Sequence, residues 1–255
     1  MKHIRPKFLF SEKVTTDSKP NESEADTRED VREYLQNNGA GALHAFIITE
    51  TERIQGFVYD ANGNVLAIPE PNPVILYFSN AYNLLNSVIQ FRKELFLKFS
   101  SSNLDVNELN QSFSLFFSYS TTFASFLYNS LEAFLNYSIP IGYIHHKPLK
   151  SRPKNAPYNR EDIQRWSKLV EKLDEIIPLA LNKSFDVLYQ TERQVIIDLS
   201  SFRNDIMHTK HAMNSSPTPY SSLFIKSLDF NYEEALRAVQ LYFDFYDPGL
   251  IEFYN

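Results

Sequence analysis

The stretch "SFRNDIMHTK" at positions 201 to 210 places Arg203, Asn204 and His208 within six positions, just after the apolar run "VIIDL". If the target is RNA, these three residue types suit its cleavage without a metal. A base must take the proton from a ribose 2′-OH. An acid must protonate the leaving 5′-oxygen, and a cation must hold the charge that gathers on the phosphorus oxygens. An imidazole titrates near pH ~6.5 and can serve as base or acid near neutrality. A guanidinium offers a fixed fork of donors that matches phosphate oxygens. The amide of an asparagine can orient either neighbour or bond the phosphate.

The spacing sets a problem. On a straight helix, positions five apart lie about 140° from each other, so Arg203 and His208 do not face one spot unaided. A kink, the reach of the arginine, or a second copy of the motif across a two-fold axis would bring them together. The ordinary alternative is the C-terminal end of a surface helix, where Lys, Arg and His suit the helix dipole. The continuation "HTKH" fits that alternative as well.

The rest of the chain must supply the scaffold. Its 255 residues are 43% apolar, with 21 Phe, 15 Tyr and only 6 Gly. Such a chain can bury a sizeable core, and the scarcity of glycine favours helices over a loop-dominated sandwich. The absence of cysteine excludes disulfides, thiol nucleophiles and thiolate metal sites. The formal net charge is −6, so contact with nucleic acid must come from a local patch. The N-terminus "MKHIRPKFLFSEKVTT" lacks an apolar signal-peptide core, and a cytoplasmic location is expected.

Residues 1–38 read as a flexible or partly helical lead-in, with "DTREDVREYLQNNG" as its one helix candidate. Residues 39–70 hold strand-like runs at "AFIIT", "GFVYD" and "VLAIP". The Asn62-Gly63 pair between the last two signals a hairpin. Residues 71–255 read as helices over 74–99, 106–138, 160–182, 190–211 and 231–246, with Pro178 kinking or ending the third of these. The expected fold is therefore mostly α, a bundle of four to five helices with a small N-terminal β element. No charge lies in the 23 residues between Glu108 and Glu132, but eight of them are Ser or Thr. That composition fits a helix buried on all sides better than a membrane span. Phe113, Phe116, Phe117, Phe123, Phe126 and Phe134 are its expected core.

The loop 139–160, "IPIGYIHHKPLKSRPKNAPYNR", carries Lys147, Lys150, Arg152 and Lys154 with no acid. It reads either as a strip that contacts the phosphates of RNA or as a solvated linker. His145, His146, His208 and His211 lack a carboxylate at ligand spacing, so no metal site is expected. No P-loop and no G-x-S-x-G elbow is present.

Arg203-Asn204-Asp205-Ile206-Met207-His208, on a late helix of a helical chain, resembles the R-x4-H signature of the HEPN superfamily. "SLEAFLNYS" at 130–138 is similar to an early helix of such bundles, with Glu132 facing inward. The resemblance implies an up-and-down bundle acting as a metal-independent endoribonuclease homodimer, with Arg203 and His208 as the catalytic pair and Asn204 in support. It also implies antiviral or toxin–antitoxin settings, with an antitoxin or other regulatory partner. The Tyr that some members carry two positions after the His is Lys210 here. A catalytically inactive helical scaffold that binds a protein or nucleotide partner is the alternative. Glu132 stays open between a partner for Arg203 and a solvated carboxylate.

Overall fold

The structure is a computed structural model that describes residues 3–13, 44–48, 52–62, 64–100, 105–150, 156–208, 218 and 220–254. The helix candidate at 26–39 lies outside these residues. The chain divides into two compact units, Arg5–Pro73 and Val74–Asn255, the second taking in Met1–Ile4.

The strands are β1 (His3–Ile4), β2 (Ser11–Lys13), β3 (His44–Ile48), β4 (Glu52–Ala61), β5 (Asn64–Pro69) and β6 (Phe253–Tyr254). In the Arg5–Pro73 unit β4 pairs antiparallel with β2, β3 and β5. The hairpin expected at Asn62-Gly63 joins β4 to β5, with Ala61 opposite Asn64. Asn62 has φ 54°, the left-handed backbone that such two-residue turns need and that Asn tolerates.

Gly56 sits opposite Pro69 and Ala45 in this sheet. A Cβ at Gly56 would lie 2.4 Å from the carbonyl oxygen of Ile68. Gly56→Ala is therefore expected to destabilise the sheet unit by about 1–3 kcal/mol, the usual range for overpacking. Denaturant unfolding of the two proteins, followed by loss of strand signal, measures the difference.

The polar lead-in carries more order than its composition suggests. β2 pairs Ser11 with Ile54, and β1 belongs to the helical unit, where Ile4 faces Phe253 of β6 and is buried against its core. Composition gives no sign of either pairing.

The helical unit begins at α1 (Pro73–Phe99), with a proline at the first helical position, where its missing N–H costs nothing. Next is α2 (Val106–Tyr137), capped by the Asp105 side chain, which accepts from the N–H groups of Asn107 and Glu108. Then follow α3 (Arg160–Trp166), α4 (Leu169–Glu171), a π-turn (Lys172–Ile176), α5 (Ile177–Leu181), α6 (Gln190–Met207), α7 (Ser221–Asp229) and α8 (Tyr232–Tyr246). Among the described residues four helices reach 15 residues or more, α1, α2, α6 and α8. The unit is mostly helical, as composition and periodicity require.

α2 supplies much of the core from one face; Ser114, Leu115 and Ser118 are exposed, so the burial on all sides expected for it is not met. Phe116, Phe123, Leu127, Leu131 and Phe134 are fully or almost fully buried on it. They pack with Ile196, Leu199 and Phe202 of α6 and with Ala235, Val239 and Phe243 of α8. Phe113, Phe117 and Phe126 pack against this core while partly exposed. Its hydroxyls bond back to the preceding turn: Thr122 donates to the Ser118 carbonyl at 2.7 Å, Ser125 to Thr121 at 2.8 Å, and Ser130 to Leu127 at 2.7 Å. Among the described residues no helix is long and apolar enough to cross a membrane.

The helix expected over 160–182 is broken. Ser167 and Lys168 interrupt it, and the π-turn follows. Pro178 accounts for the π-turn. In a regular helix its ring would strike the carbonyl four residues earlier. The π-turn just before it widens the backbone, and the Ile177 N–H reaches the Lys172 carbonyl five residues back. The helix then ends at Asn182, which takes φ 50°.

Candidate active site

α6 carries Arg203 and Asn204 in its last turn and ends at Met207, not at 211. His208 is the closing residue, with φ −118° and ψ 49°, and its N–H donates to the Asn204 carbonyl at 2.9 Å. Asn204 and His208 are four residues apart, so they share a helix face, and both are exposed.

Arg203 is half-buried. Its guanidinium lies over the Tyr128 ring, 4.6 Å from the centroid, a cation–π contact that fixes the head group. Its Nη1 donates to Asn204 Oδ1 at 3.3 Å. Arg203 and Asn204 are brought together. No hydrogen bond among the described residues links the His208 ring to either of them. Glu132, one turn after Tyr128 on α2, forms no ion pair with Arg203 among the described residues; the arginine uses Tyr128 instead.

Beside Asn204 a pocket of about 350 Å³ opens between three segments. Tyr128 and Glu132 come from α2, Ser200 and Asn204 from α6, and Val170 and Lys172 from α4 and the π-turn. Burial pushes the Tyr128 phenol up; the Glu132 charge adds to this, while Arg203 and a hydrogen bond with Ser200 oppose it. The phenol is a neutral donor at physiological pH. Lys172 is only 2% exposed, and its Nζ donates to Asn136 Oδ1 at 2.7 Å. Burial lowers its pKa, and the Glu132 charge partly restores it.

Tyr128 and Lys172 were not among the residues that motif and spacing singled out. Tyr128 is one aromatic among many. Lys172 reads as a surface residue of "LVEKLDEII". One sign was available, since position 172 lies three after Leu169 and four before Ile176, inside the apolar stripe.

The basic loop does not touch Arg203, Asn204 or His208 through any described residue. Lys147 pairs with Glu175 at 3.3 Å and is 63% exposed; Lys150 is exposed. Arg152 and Lys154 lie outside the described residues. Among the described residues no group of three His, Asp or Glu could hold an ion. His211 lies outside them.

His145 is 1% exposed and is held by paired backbone bonds with Tyr158, at 2.9 and 2.8 Å. Its Nε2 has no hydrogen-bond partner and lies 4.0 Å from Glu175 Oε1. Burial lowers its pKa, against the pull of Glu175 and with small pushes from Lys147 and His146. The unfolded chain therefore takes up this proton more readily than the folded one. The stabilisation is present above pH ~6.5, the unfolded value, and is lost as the pH falls from there toward the lower folded value. Wild-type melting temperature is expected to fall more steeply with acidification than that of His145→Gln, measured from about pH 7.5 to about 5.5 across this window.

No protein-family model, curated protein or solved structure matches this chain.

Proposed function

We propose that the protein is a metal-independent endoribonuclease of the HEPN type, its helical unit an up-and-down bundle working as a homodimer. The observation that carries this reading is the Arg203 head group, turned back onto Asn204 Oδ1 at the end of α6, with exposed His208 one turn further on the same face as Asn204. His208 takes the proton from the ribose 2′-OH. The 2′-oxygen attacks phosphorus, a P–O2′ bond forms and the P–O5′ bond breaks. Arg203 donates to the non-bridging oxygens as charge builds there, and Asn204 holds the guanidinium in line. Protonation of the 5′-oxygen, by the partner's motif across the two-fold axis or by the same imidazole after exchange, completes the balance. The products carry a 2′,3′-cyclic phosphate and a 5′-hydroxyl. Lys147, Lys150, Arg152 and Lys154 guide the RNA backbone. The setting is cytoplasmic antiviral defence or a toxin–antitoxin pair, with an antitoxin or regulatory partner holding the activity in check.

One observation favours the alternative of an inactive scaffold that binds a protein or nucleotide partner. Arg203 is already engaged with Tyr128, a use that needs no substrate.

The test is the chemistry of the cut. A short RNA with a mapped cleavage position is compared with the same RNA carrying a 2′-deoxyribose there. The expected result is a cyclic phosphate end from the first and no cleavage of the second. Cleavage of the deoxy substrate would exclude attack by the 2′-oxygen and with it this mechanism.

A further inference from the structure

The ammonium of Lys172 is buried with fewer acceptors than it can use. It is 2% exposed, it lines the pocket beside Asn204, and the hydrogen bond that holds it goes to Asn136 Oδ1. An ammonium has three donors, and buried cations are normally paired. Among the described residues no carboxylate lies within ion-pair distance of it. The remaining donors call for an acceptor supplied from the pocket.

The other walls define what that acceptor belongs to. Glu132 brings a carboxylate, which only accepts. Val170 brings an apolar surface, and Ser200 and Asn204 bring short polar groups. The pocket, at about 350 Å³, lies at the small end of the range for ligand sites, which runs from about 300 to 1,000 Å³. A ligand that suits it carries an acceptor for the lysine next to a pair of donors for the carboxylate. Guanine has this edge: O6 accepts, and N1–H and the N2 amino group donate side by side, so a carboxylate takes both. Adenine and cytosine offer the carboxylate one amino group, and uracil offers a single N–H between two acceptors. Asn204 both lines this pocket and accepts from Arg203, which ties the pocket to the motif.

The geometry points to a guanine-binding subsite in which Lys172 donates to O6 and Glu132 accepts from N1–H and N2–H, fixing a guanosine of the RNA beside Arg203. The inference takes its ligand class from the endoribonuclease reading.

The test is titration of the full chain with 5′-GMP in EDTA by calorimetry, beside 5′-AMP, 5′-CMP and 5′-UMP, for wild type, Glu132→Gln and Lys172→Met. The expected result is preference for 5′-GMP, weakened about tenfold or more in each variant, the usual consequence of losing a charged hydrogen bond. Glu132 is partly exposed, so Glu132→Gln keeps the fold, and melting curves check Lys172→Met. Equal binding of all four nucleotides, or a Glu132→Gln protein that binds 5′-GMP like wild type, overturns the subsite. The two readings fail separately. If 5′-GMP binds as expected and no RNA is cut, the subsite stands and the nuclease falls. If RNA is cut without regard to guanosine and 5′-GMP does not bind, only the subsite falls.

Discussion

Under the proposed nuclease reading, His208→Ala is expected to lower the rate of RNA cleavage by about 10²–10⁴-fold, the usual contribution of a positioned general acid or base, and to leave the melting temperature almost unchanged. The first half follows from the mechanism, in which this imidazole is the group that moves the proton. The second half follows from the structure. His208 is exposed at the end of α6, and the contact that anchors it is made by its backbone N–H to the Asn204 carbonyl, which alanine keeps. Rate and stability therefore separate at this residue. Single-turnover cleavage and thermal melting of the same preparations measure both. A large fall in melting temperature would assign the residue to the fold instead.

Phe123→Ala lies at the other extreme, with a cost of about 3–5 kcal/mol, the range for truncating a buried aromatic. Phe123 is fully buried on α2 and meets the Tyr232 ring edge-on at 5.4 Å. Tyr232 is itself locked, its hydroxyl lying 2.6 Å from Ser120 Oγ and donating to the Ser227 carbonyl at 2.5 Å. Burial, partly opposed by Ser120 and Arg92, pushes its pKa up to about 12. A hole at position 123 cannot close by moving Tyr232 without breaking those bonds, so the loss sits toward the upper end. Expressed as heat, this is roughly 10 °C of melting temperature for a unit of this size. The expected readout is a single cooperative transition at a lower midpoint by circular dichroism.

Local chemistry was legible in the sequence. Asn62-Gly63 marked its hairpin, and the phenylalanines of α2 marked its core face, because each effect acts within a few residues. What required long-range pairing was not. The strand at Ser11–Lys13 has no alternating pattern, and the pairing of His3–Ile4 with Phe253–Tyr254 joins the two ends of the helical unit. The π-turn was half legible. Pro178 announced a disturbance, but a widened turn and a kink leave the same trace in sequence. At the motif, residue types and helix were readable. The contact of Arg203 was not, because Tyr128 lies 75 positions away in the chain and Glu132, one turn on, was an equally reasonable partner.

The central claim is that Arg203, Asn204 and His208 cut RNA without a metal. The most direct measurement is cleavage of a mixed RNA pool by the wild-type protein in excess EDTA, with Arg203→Ala alongside at matched folding. Cleavage is expected to persist under chelation in the wild type and to disappear in Arg203→Ala. Cleavage that stops on chelation, or that survives unchanged in Arg203→Ala, would contradict it.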